Sequence, residues 1–265
     1  MALKTNLLDY IHNVMPLSVN DYLELIKAFT LRLFTPGTGL SKSIIVRTRD
    51  GYLFFCRPHS PDLYTVCCHE TYELKKWFTP LVKGDIFIDV GAYIGTYTIR
   101  GCERFREVIA IEPLPFNFAV LKVNVHLNQC DEKTILINKA IGSVRRITNM
   151  YVPVSKSHIS YTRASLAYDL IKHMNAINIP VIEEPLDDIL KPLNIDKIDF
   201  MKIDIEGYVT QALPGMMNSL ERTRYLFIEI PEKVLKRVHM ELRRIGFKLI
   251  DVHGNNYLYF NKRLI

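Results

Sequence analysis

The sequence predicts an α/β fold. It reads as a seven-stranded, mostly parallel sheet with an antiparallel last strand, covered by helices and preceded by an N-terminal helical and hairpin extension. Three observations predict it. From Asp85 onward, short apolar runs alternate with helix-like runs, the pattern of a parallel sheet with helical crossovers. The early runs are almost wholly apolar, which fits strands buried on both faces. The last run, Asn256 to Phe260, follows Gly254-Asn255 too closely for a helical crossover, so it must pair as a hairpin.

Taken in order, residues 1 to 40 look helical. Ser18-Val-Asn-Asp21 resembles a capping box that opens a helix through Phe34, and Pro36-Gly37 ends the segment. The apolar residues Tyr22, Leu23, Leu25, Ile26, Phe29, Leu33 and Phe34 cover more than one face. Packing on the main domain is the plain account; a homodimer contact through the N-terminal helices or a membrane-surface contact are the sharper ones. Two β-rich runs, "SIIVRTR" and "YLFFC", flank Asp50-Gly51 and predict a hairpin over 43–56. A helix is expected over 70–82, with Leu74, Trp77 and Phe78 on one side.

Strands are expected at Ile86–Val90, Val108–Ile111, Ile135–Asn138, Ile198–Ile203, Tyr225–Ile230, Phe247–Val252 and Asn256–Phe260. Helices are expected at Gly95–Cys102, Pro115–Leu127, Tyr208–Leu220 and Glu232–Ile245. The region 144–185, with "YVPVSKSHISYTRAS", is polar and turn-rich, and long for a structureless loop. It reads as a substrate-facing loop or lid, or more plainly as a surface excursion, and His158 within it is a minor candidate base. The division expected is an extension over 1–80 and a ligand-binding domain over 81–265.

Composition narrows the class. With 48% hydrophobic and 23% charged residues the chain is ordinary globular protein. Its net charge of +6 is spread over pairs such as Arg145-Arg146 and Arg243-Arg244, not gathered in a tract. A mildly basic solvated surface explains it, and a nucleic-acid partner is disfavoured. No apolar run approaches the ~18 residues that a membrane span needs. The five cysteines form no metal-type spacing, no metal site is expected, and the N-terminus does not read as a signal peptide. Reduced thiols in a cytoplasm are expected.

The chemistry concentrates at the strand ends. The first strand runs into "DVGAYIG", with Asp89 at its tip and Gly91 and Gly95 behind it. In open parallel sheets ligands sit beyond the carboxyl ends of the strands. A dinucleotide fold would want Gly where Tyr93 stands, and no Gly-Lys-Ser/Thr follows to make a phosphate loop. An acid before the glycine suits a ligand bearing positive charge, such as the amino group of a methionine moiety. The second strand ends "VIAIEP", placing Glu112, followed by Pro113, where a carboxylate can accept from ribose hydroxyls. The pair matches S-adenosylmethionine better than a phosphate-rich ligand. Either acid alone reads more plainly as a turn or cap residue.

A second constellation lies at "DFMKIDIEGYV" and "YLFIEIPE". Lys202, Asp204 and Glu206 crowd one tip and Glu229 ends the next strand. For methyl transfer to a hydroxyl, a carboxylate can serve as general base, and clustered carboxylates raise one another's pKa. Lys202 would offset that or steer an anionic acceptor. The plainer readings are a turn-capping Asp204, a structural Lys202–Glu206 ion pair and a loop-supporting Glu229. The other histidines, His69 among them, show no ligand spacing and read as surface or satisfied core residues.

The strings "GDIFIDVGAYIGTYTI", "VIAIEPLPFNFAVLKVNVHLN", "INKAIGS", "EEPLDDIL", "IDFMKIDIEGY" and "LFIEI" occur in an order that resembles FkbM-type methyltransferases. The resemblance covers about residues 43 to 230, and its most specific part runs from Lys202 to Gly207. It implies a class I methyltransferase (Rossmann-like) fold, S-adenosylmethionine as donor and O-methylation of a small-molecule or glycan hydroxyl. By position it implies that Asp89, Gly91, Ala92 and Gly95 cradle the methionine part, with Tyr93 in the same loop. Glu112, with Pro113, would hold the ribose, and Asn138, Lys139 and Ala140 would lie beside the adenine. Asp204 and Glu206 would face the methionine end and the acceptor, with Lys202 and Glu229 beside them. The chain departs from the family at Tyr93, where Asn is usual, and at Val209, where a second acid is frequent. The alternatives are an RNA methyltransferase, for which no Asn-Pro-Pro-Tyr-like or cysteine-based motif is present, and a non-catalytic cofactor-binding or scaffold protein.

Overall fold

The computed structural model describes residues 13–34, 40–81, 83–154, 164–167 and 172–264. Its strands are β1 (Val14–Pro16), β2 (Ile44–Thr48), β3 (Leu53–Cys56), β4 (Gly84–Val90), β5 (Phe105–Ile111), β6 (Thr134–Ile137) and β7 (Ala140–Ile141). They continue with β8 (Arg146–Pro153), β9 (Ala176–Glu184), β10 (Ile198–Ile203), β11 (Thr223–Glu229), β12 (Phe247–His253) and β13 (Asn256–Asn261). The main sheet has seven strands in the order β12-β13-β11-β10-β4-β5-β6. β13 runs antiparallel to both of its neighbours, and the remaining pairings are parallel. This is the Rossmann-like class I arrangement that the alternation predicts.

Strand periodicity divides the core between the two faces of this sheet. Ile86, Ile88 and Val90 of β4 pack with Met201, Ile203 and the helices at Leu186–Leu190, Val209–Ala212 and Leu235–Ile245. Phe87, Phe200 and Phe227 point the other way. They are covered by the helices at Thr96–Gly101 and Pro115–Leu127 and by the N-terminal extension. The extension shares this core: Phe78 is fully buried, with ring centroids 5.2 Å from Phe87, 5.2 Å from Tyr97 and 5.5 Å from Phe200.

The hairpin of β2 and β3 turns at Asp50-Gly51, with Gly51 at φ +99°, as its sequence predicts. Helix Val19–Phe34 is capped where expected, the Asp21 N–H donating to Ser18 Oγ at 3.1 Å. Leu25 and Ala28 are buried on it, whereas Val19, Tyr22, Leu23 and Ile26 are exposed. Of the stretch expected to be helical before it, residues 1–12 and Pro36-Gly37 lie outside the described residues, and Val14–Pro16 is a strand pairing with β2. The helix expected over 70–82 runs from Thr71 to Leu81 with a π-helical turn at Leu74–Phe78. The helix expected over 208–220 is broken by a 3-10 turn at Leu213–Met216. A Cβ on Gly215 would lie 2.0 Å from the Gly142 carbonyl oxygen, so the backbones pass too closely there for a continuous helix with side chains.

Two expectations are corrected. The 144–185 region is not a loop throughout: β8 and β9 pair antiparallel and, with β7, make a separate three-stranded sheet in the order β7-β9-β8. Pro180 inside β9 and the polar side chains of β8 hide the strand pattern. His158 lies outside the described residues. The cysteines are not all reduced: disulfides join Cys67 to Cys68 and Cys102 to Cys130, leaving Cys56 free and buried. Neither pair has a spacing that announces it; Cys102 and Cys130 meet because the helix end at Gly101 abuts the turn before β6.

Because Phe78 joins the extension to the sheet core, Phe78→Ala should destabilise the whole protein by about 3–5 kcal/mol. Urea unfolding followed by far-ultraviolet circular dichroism would read this as one shifted transition. An unshifted midpoint would show that the extension adds nothing to the sheet's stability.

Candidate active site

The sheet order places a crevice at β4, because the chain leaves β4 toward β5 on one side and returns through β10 on the other. The backbone at this point is tightly built. The Gly91 and Ala92 N–H groups donate to the Ile111 carbonyl at 2.9 and 3.0 Å, and the Asp204 N–H donates to Val90 at 3.0 Å. Gly91 sits at φ +80°, and a Cβ on it would lie 1.8 Å from the Asp204 carbonyl oxygen. Only glycine fits there. Gly95, at φ +94°, has Leu121 Cδ1 2.7 Å from its missing Cβ, so its smallness seats the helix Pro115–Leu127.

A cavity of about 350 Å³ opens above these tips. Of the residues singled out in the sequence, it is lined by Asp89, Gly91, Ala92, Tyr93, Glu112, Pro113, Lys139, Ala140, Lys202, Asp204 and Glu206. Gly95, Asn138 and Glu229 do not line it. Asn138 directs its amide to the Glu112 and Pro113 carbonyls at 2.8 and 3.0 Å and so fixes the turn after β5. Glu229 stands behind Asp204, one step beyond the paired residues Ile203 and Ile228.

Lys202 organises one end. It is 4% exposed, its ammonium is 3.1 Å from Asp204 Oδ2, and it lies 5.0 and 5.6 Å from the ring centroids of Tyr97 and Phe227. Asp89 is its neighbour in register across β4. Burial works to lower the Lys202 pKa, but the carboxylates of Asp204, Glu70 and Asp89 prevail and hold it above the ordinary lysine range. Burial likewise works to raise Asp204, and the Lys202 cation prevails, holding its carboxyl below the ordinary range. Glu229 is pushed up to about 9, first by the Asp204 charge and then by burial. These two carboxyls titrate as a pair, in which Glu229 keeps the proton and Asp204 the charge. Asp89 receives the Thr98 hydroxyl at 2.6 Å, while its Oδ1 is buried with no hydrogen-bond partner among the described residues. Burial raises its pKa.

Glu112 organises the other end. Its carboxylate accepts from the N–H groups of Tyr93 and Leu114 at 2.9 and 3.0 Å and from Asn117 Nδ2 at 3.2 Å. Burial nevertheless pushes it up to about 7. Asn117 Oδ1 accepts in turn from Arg57 Nη2 at 3.0 Å, and Arg57 forks onto Asp62 at 2.8 and 2.9 Å. Asp62 Oδ1 takes the Tyr93 hydroxyl. A closed ring of hydrogen bonds therefore runs from Glu112 through the extension and back. The two departures noted in the sequence have local reasons here: Tyr93, at φ +53°, closes that ring, and Val209 is fully buried at the start of a helix.

Sequence reasoning missed the residues that the extension brings in, above all His69 and Glu70, and also Tyr97 and Asn117. The extension lies far from the strand tips in sequence, so no spacing signals it. Among the described residues, no group of His, Cys, Asp and Glu is placed to hold a metal ion, and no helix is long and apolar enough to cross a membrane.

Comparison with known proteins adds the following. The family model described as "Methyltransferase FkbM domain" matches residues 89–249, more than half of the chain. The hexuronic acid methyltransferase AglP of Haloferax volcanii is 27% identical over 152 residues, which span 56% of this chain and 56% of that protein. A crystal structure of an FkbM methyltransferase from Methylobacillus flagellatus KT superposes with a TM-score of 0.49 at 18% identity, covering 75% of this chain and 53% of that one. The METTL16 methyltransferase domain superposes with a TM-score of 0.47 at 14% identity, covering 96% of this chain and 88% of that one.

The raised Glu229 carboxyl carries a signed expectation. A group that holds its proton more tightly when folded makes stability fall as pH climbs from its ordinary 4.5 through about 9. Glu229→Gln mimics the protonated acid and does not titrate. The melting temperature of the variant minus that of the wild type should therefore grow steadily over that window. A difference that stays flat with pH would remove the shared-proton account of Asp204 and Glu229.

Proposed function

The chain belongs to the FkbM methyltransferase family, and from that premise we propose that it transfers a methyl group from S-adenosylmethionine to a hydroxyl of a small molecule or glycan. The observation that carries the reading is the gathering of Asp89, Glu112 and Asp204 around one cavity at the carboxyl ends of β4, β5 and β10. The sugar acceptor class is favoured by the name of the Haloferax volcanii relative, a hexuronic acid methyltransferase.

The residues fit the donor. Asp89 Oδ1 is a buried acceptor without a partner among the described residues, suited to a cationic amino group. Glu112 already takes three internal donors, which leaves about one of its four acceptor positions for a ribose hydroxyl. The close pass of Gly91 over Asp204 leaves bare backbone facing the cavity. Lys139 and Ala140 line the far end, where the adenine would lie. The donor supplies a methyl group on a sulfonium, whose departure returns an electron pair to sulfur as the new C–O bond forms.

The chain's own part is to bind, align and take a proton. Asp204, held ionised by Lys202, is the base that receives the acceptor's hydroxyl proton. Glu229, carrying a proton, donates to Asp204 and fixes its orientation. Glu206, at φ +48°, holds its turn against the segment that bridges to β8 at Tyr151, its carbonyl accepting from Ser165 Oγ at 2.7 Å. That hydrogen bond sets the Glu206 side of the cavity. Alignment of the two partners supplies much of the remaining rate.

Two measurements test the reading. Calorimetric titration with S-adenosylhomocysteine should give micromolar binding that Glu112→Ala weakens by about 10–100-fold, the size of a hydrogen bond to a charged group. Equal binding of NADH, or no adenosyl binding, would defeat the cofactor assignment. Asp204→Asn should lower kcat by about 10²–10⁴-fold while its affinity for S-adenosylhomocysteine changes less than about tenfold. Undiminished turnover would remove Asp204 as base.

A further inference from the structure

The helix Pro115–Leu127 carries Asn117 and Asn124, and Asn128 caps its end, a spacing that puts the three on one face. That face meets β3. The Leu53 N–H donates to Asn128 Oδ1 at 2.9 Å and the Phe55 N–H to Asn124 Oδ1 at 2.8 Å. The series continues one step further: Arg57, the residue after β3, reaches the level of Asn117. The lengths agree, about 13 Å of strand from 53 to 57 against about 16 Å of helix from 117 to 128. Arg57 Nη2 donates to Asn117 Oδ1 at 3.0 Å. Arg57 is itself fixed by the fully buried Asp62, to which its Nε, Nη2 and backbone N–H donate at 2.8, 2.9 and 2.9 Å.

The contact between Arg57 and Asn117 decides which way the Asn117 amide faces. A guanidinium carries donors only and a carboxylate acceptors only, whereas an amide offers an acceptor on one side and donors on the other. With its oxygen held by Arg57, Asn117 turns Nδ2 to Glu112 Oε1 at 3.2 Å. The opposite orientation would set donors against the guanidinium and an oxygen against the carboxylate. Asn117 and the Leu114 N–H together occupy Oε1, while Oε2 takes one donor among the described residues, the Tyr93 N–H. The acceptor position that remains is therefore on Oε2, and its direction depends on how firmly Oε1 is held. Burial raises the Glu112 pKa, and the Arg57 charge works against it, favouring the carboxylate form.

We propose that Arg57 is a positioning residue for the donor's ribose: by fixing the Asn117 amide it aims the remaining acceptor position of Glu112 at a ribose hydroxyl. This rests on the S-adenosylmethionine reading above and deepens it. Arg57 lies outside the family match at residues 89–249 and does not line the cavity. The extension thus takes part in donor recognition, through Asn117 and Glu112, as well as in the core.

The test is calorimetric titration of the full chain with S-adenosylhomocysteine and with its 2′,3′-dideoxy analogue, which lacks the ribose hydroxyls. The wild type should bind the first about 10–100-fold more tightly than the second. Arg57→Lys keeps a cation beside Asp62 but lacks the planar fork that reaches Asp62 and Asn117 together. It should cut the ratio between the ligands at least about fivefold, by weakening S-adenosylhomocysteine while the affinity for the analogue stays as in the wild type. Asn117→Ala, which leaves Arg57 on Asp62, should cut the ratio to a similar extent. The double variant should lose no more than either single one, because the two residues act in series. An unchanged ratio in both single variants would overturn the proposal. Equal weakening of both ligands would overturn it too, since that marks support of the fold alone, as would additive losses in the double variant. A wild-type ratio near one would remove the ribose contact of Glu112 and the proposal with it. Absence of adenosyl binding by the wild type would instead defeat the underlying reading.

Discussion

One buried cation holds the candidate site together. Lys202 lies on a central strand, 4% exposed, and an ammonium in that position is tolerable only if charge surrounds it. Asp204 on its own strand, Asp89 on the neighbouring strand and Glu70 from the extension provide that charge. The dependence is mutual. Without Lys202, three carboxylates would crowd one low-dielectric space and would take up protons rather than stay ionised. With it, Asp204 remains a charged acceptor while Glu229 behind it keeps its proton. The same lysine thus sets the ionisation of the strand tip.

Backbone geometry makes this charge arrangement rigid. The Asp204 N–H is fixed to Val90, and its carbonyl is in contact with Gly91. Asp204 cannot shift without moving the turn that follows β4. On the other side, Glu112 is held by two backbone N–H groups and by Asn117. The acids at the ends of β4, β5 and β10 therefore hold their places through peptide groups, whose positions the sheet dictates, more than through side-chain rotamers.

The legible part of the molecule was that governed by short-range periodicity. The early strands of the main sheet are legible as apolar runs, β12 and β13 as mixed runs on either side of Gly254-Asn255, and the antiparallel last strand follows from that short connection. Asp89, Glu112, Lys202 and Asp204 were visible because a strand tip can be located from its strand. The parts that were not legible depend on contacts distant in sequence. Glu70 reaches the cavity only because Trp77 and Phe78 pack the following helix onto Phe227 and Phe87. β9 was obscured by Pro180, and the ion pair of Lys202 formed with Asp204 where Glu206 was the plainer candidate. Gly95 and Gly91 look alike in the motif, yet only the packing distinguishes the one that seats a helix from the one that lets two backbones meet.

Tyr93 shows how a local departure can be absorbed by a distant segment. A residue at φ +53° in this turn is suited to Asn, which tolerates left-handed backbone, and a tyrosine there needs compensation. The compensation comes from the extension. The Tyr93 hydroxyl meets Asp62, Asp62 is forked by Arg57, and Arg57 holds Asn117, which donates to Glu112. The Tyr93 N–H donates to the same Glu112 carboxylate and closes the ring. The extension therefore supports the site at both ends, through Arg57 and Asp62 at Glu112 and through Glu70 at Lys202. Its hairpin is in turn tied to the helix Pro115–Leu127, because Asn124 and Asn128 accept the N–H groups of Phe55 and Leu53. An insertion between β3 and the helix at Asp62–Cys67 would disturb both ends of the site at once, although neither Asp89 nor Asp204 would be touched. In this chain the extension is part of the site's construction, and the site's two halves share it.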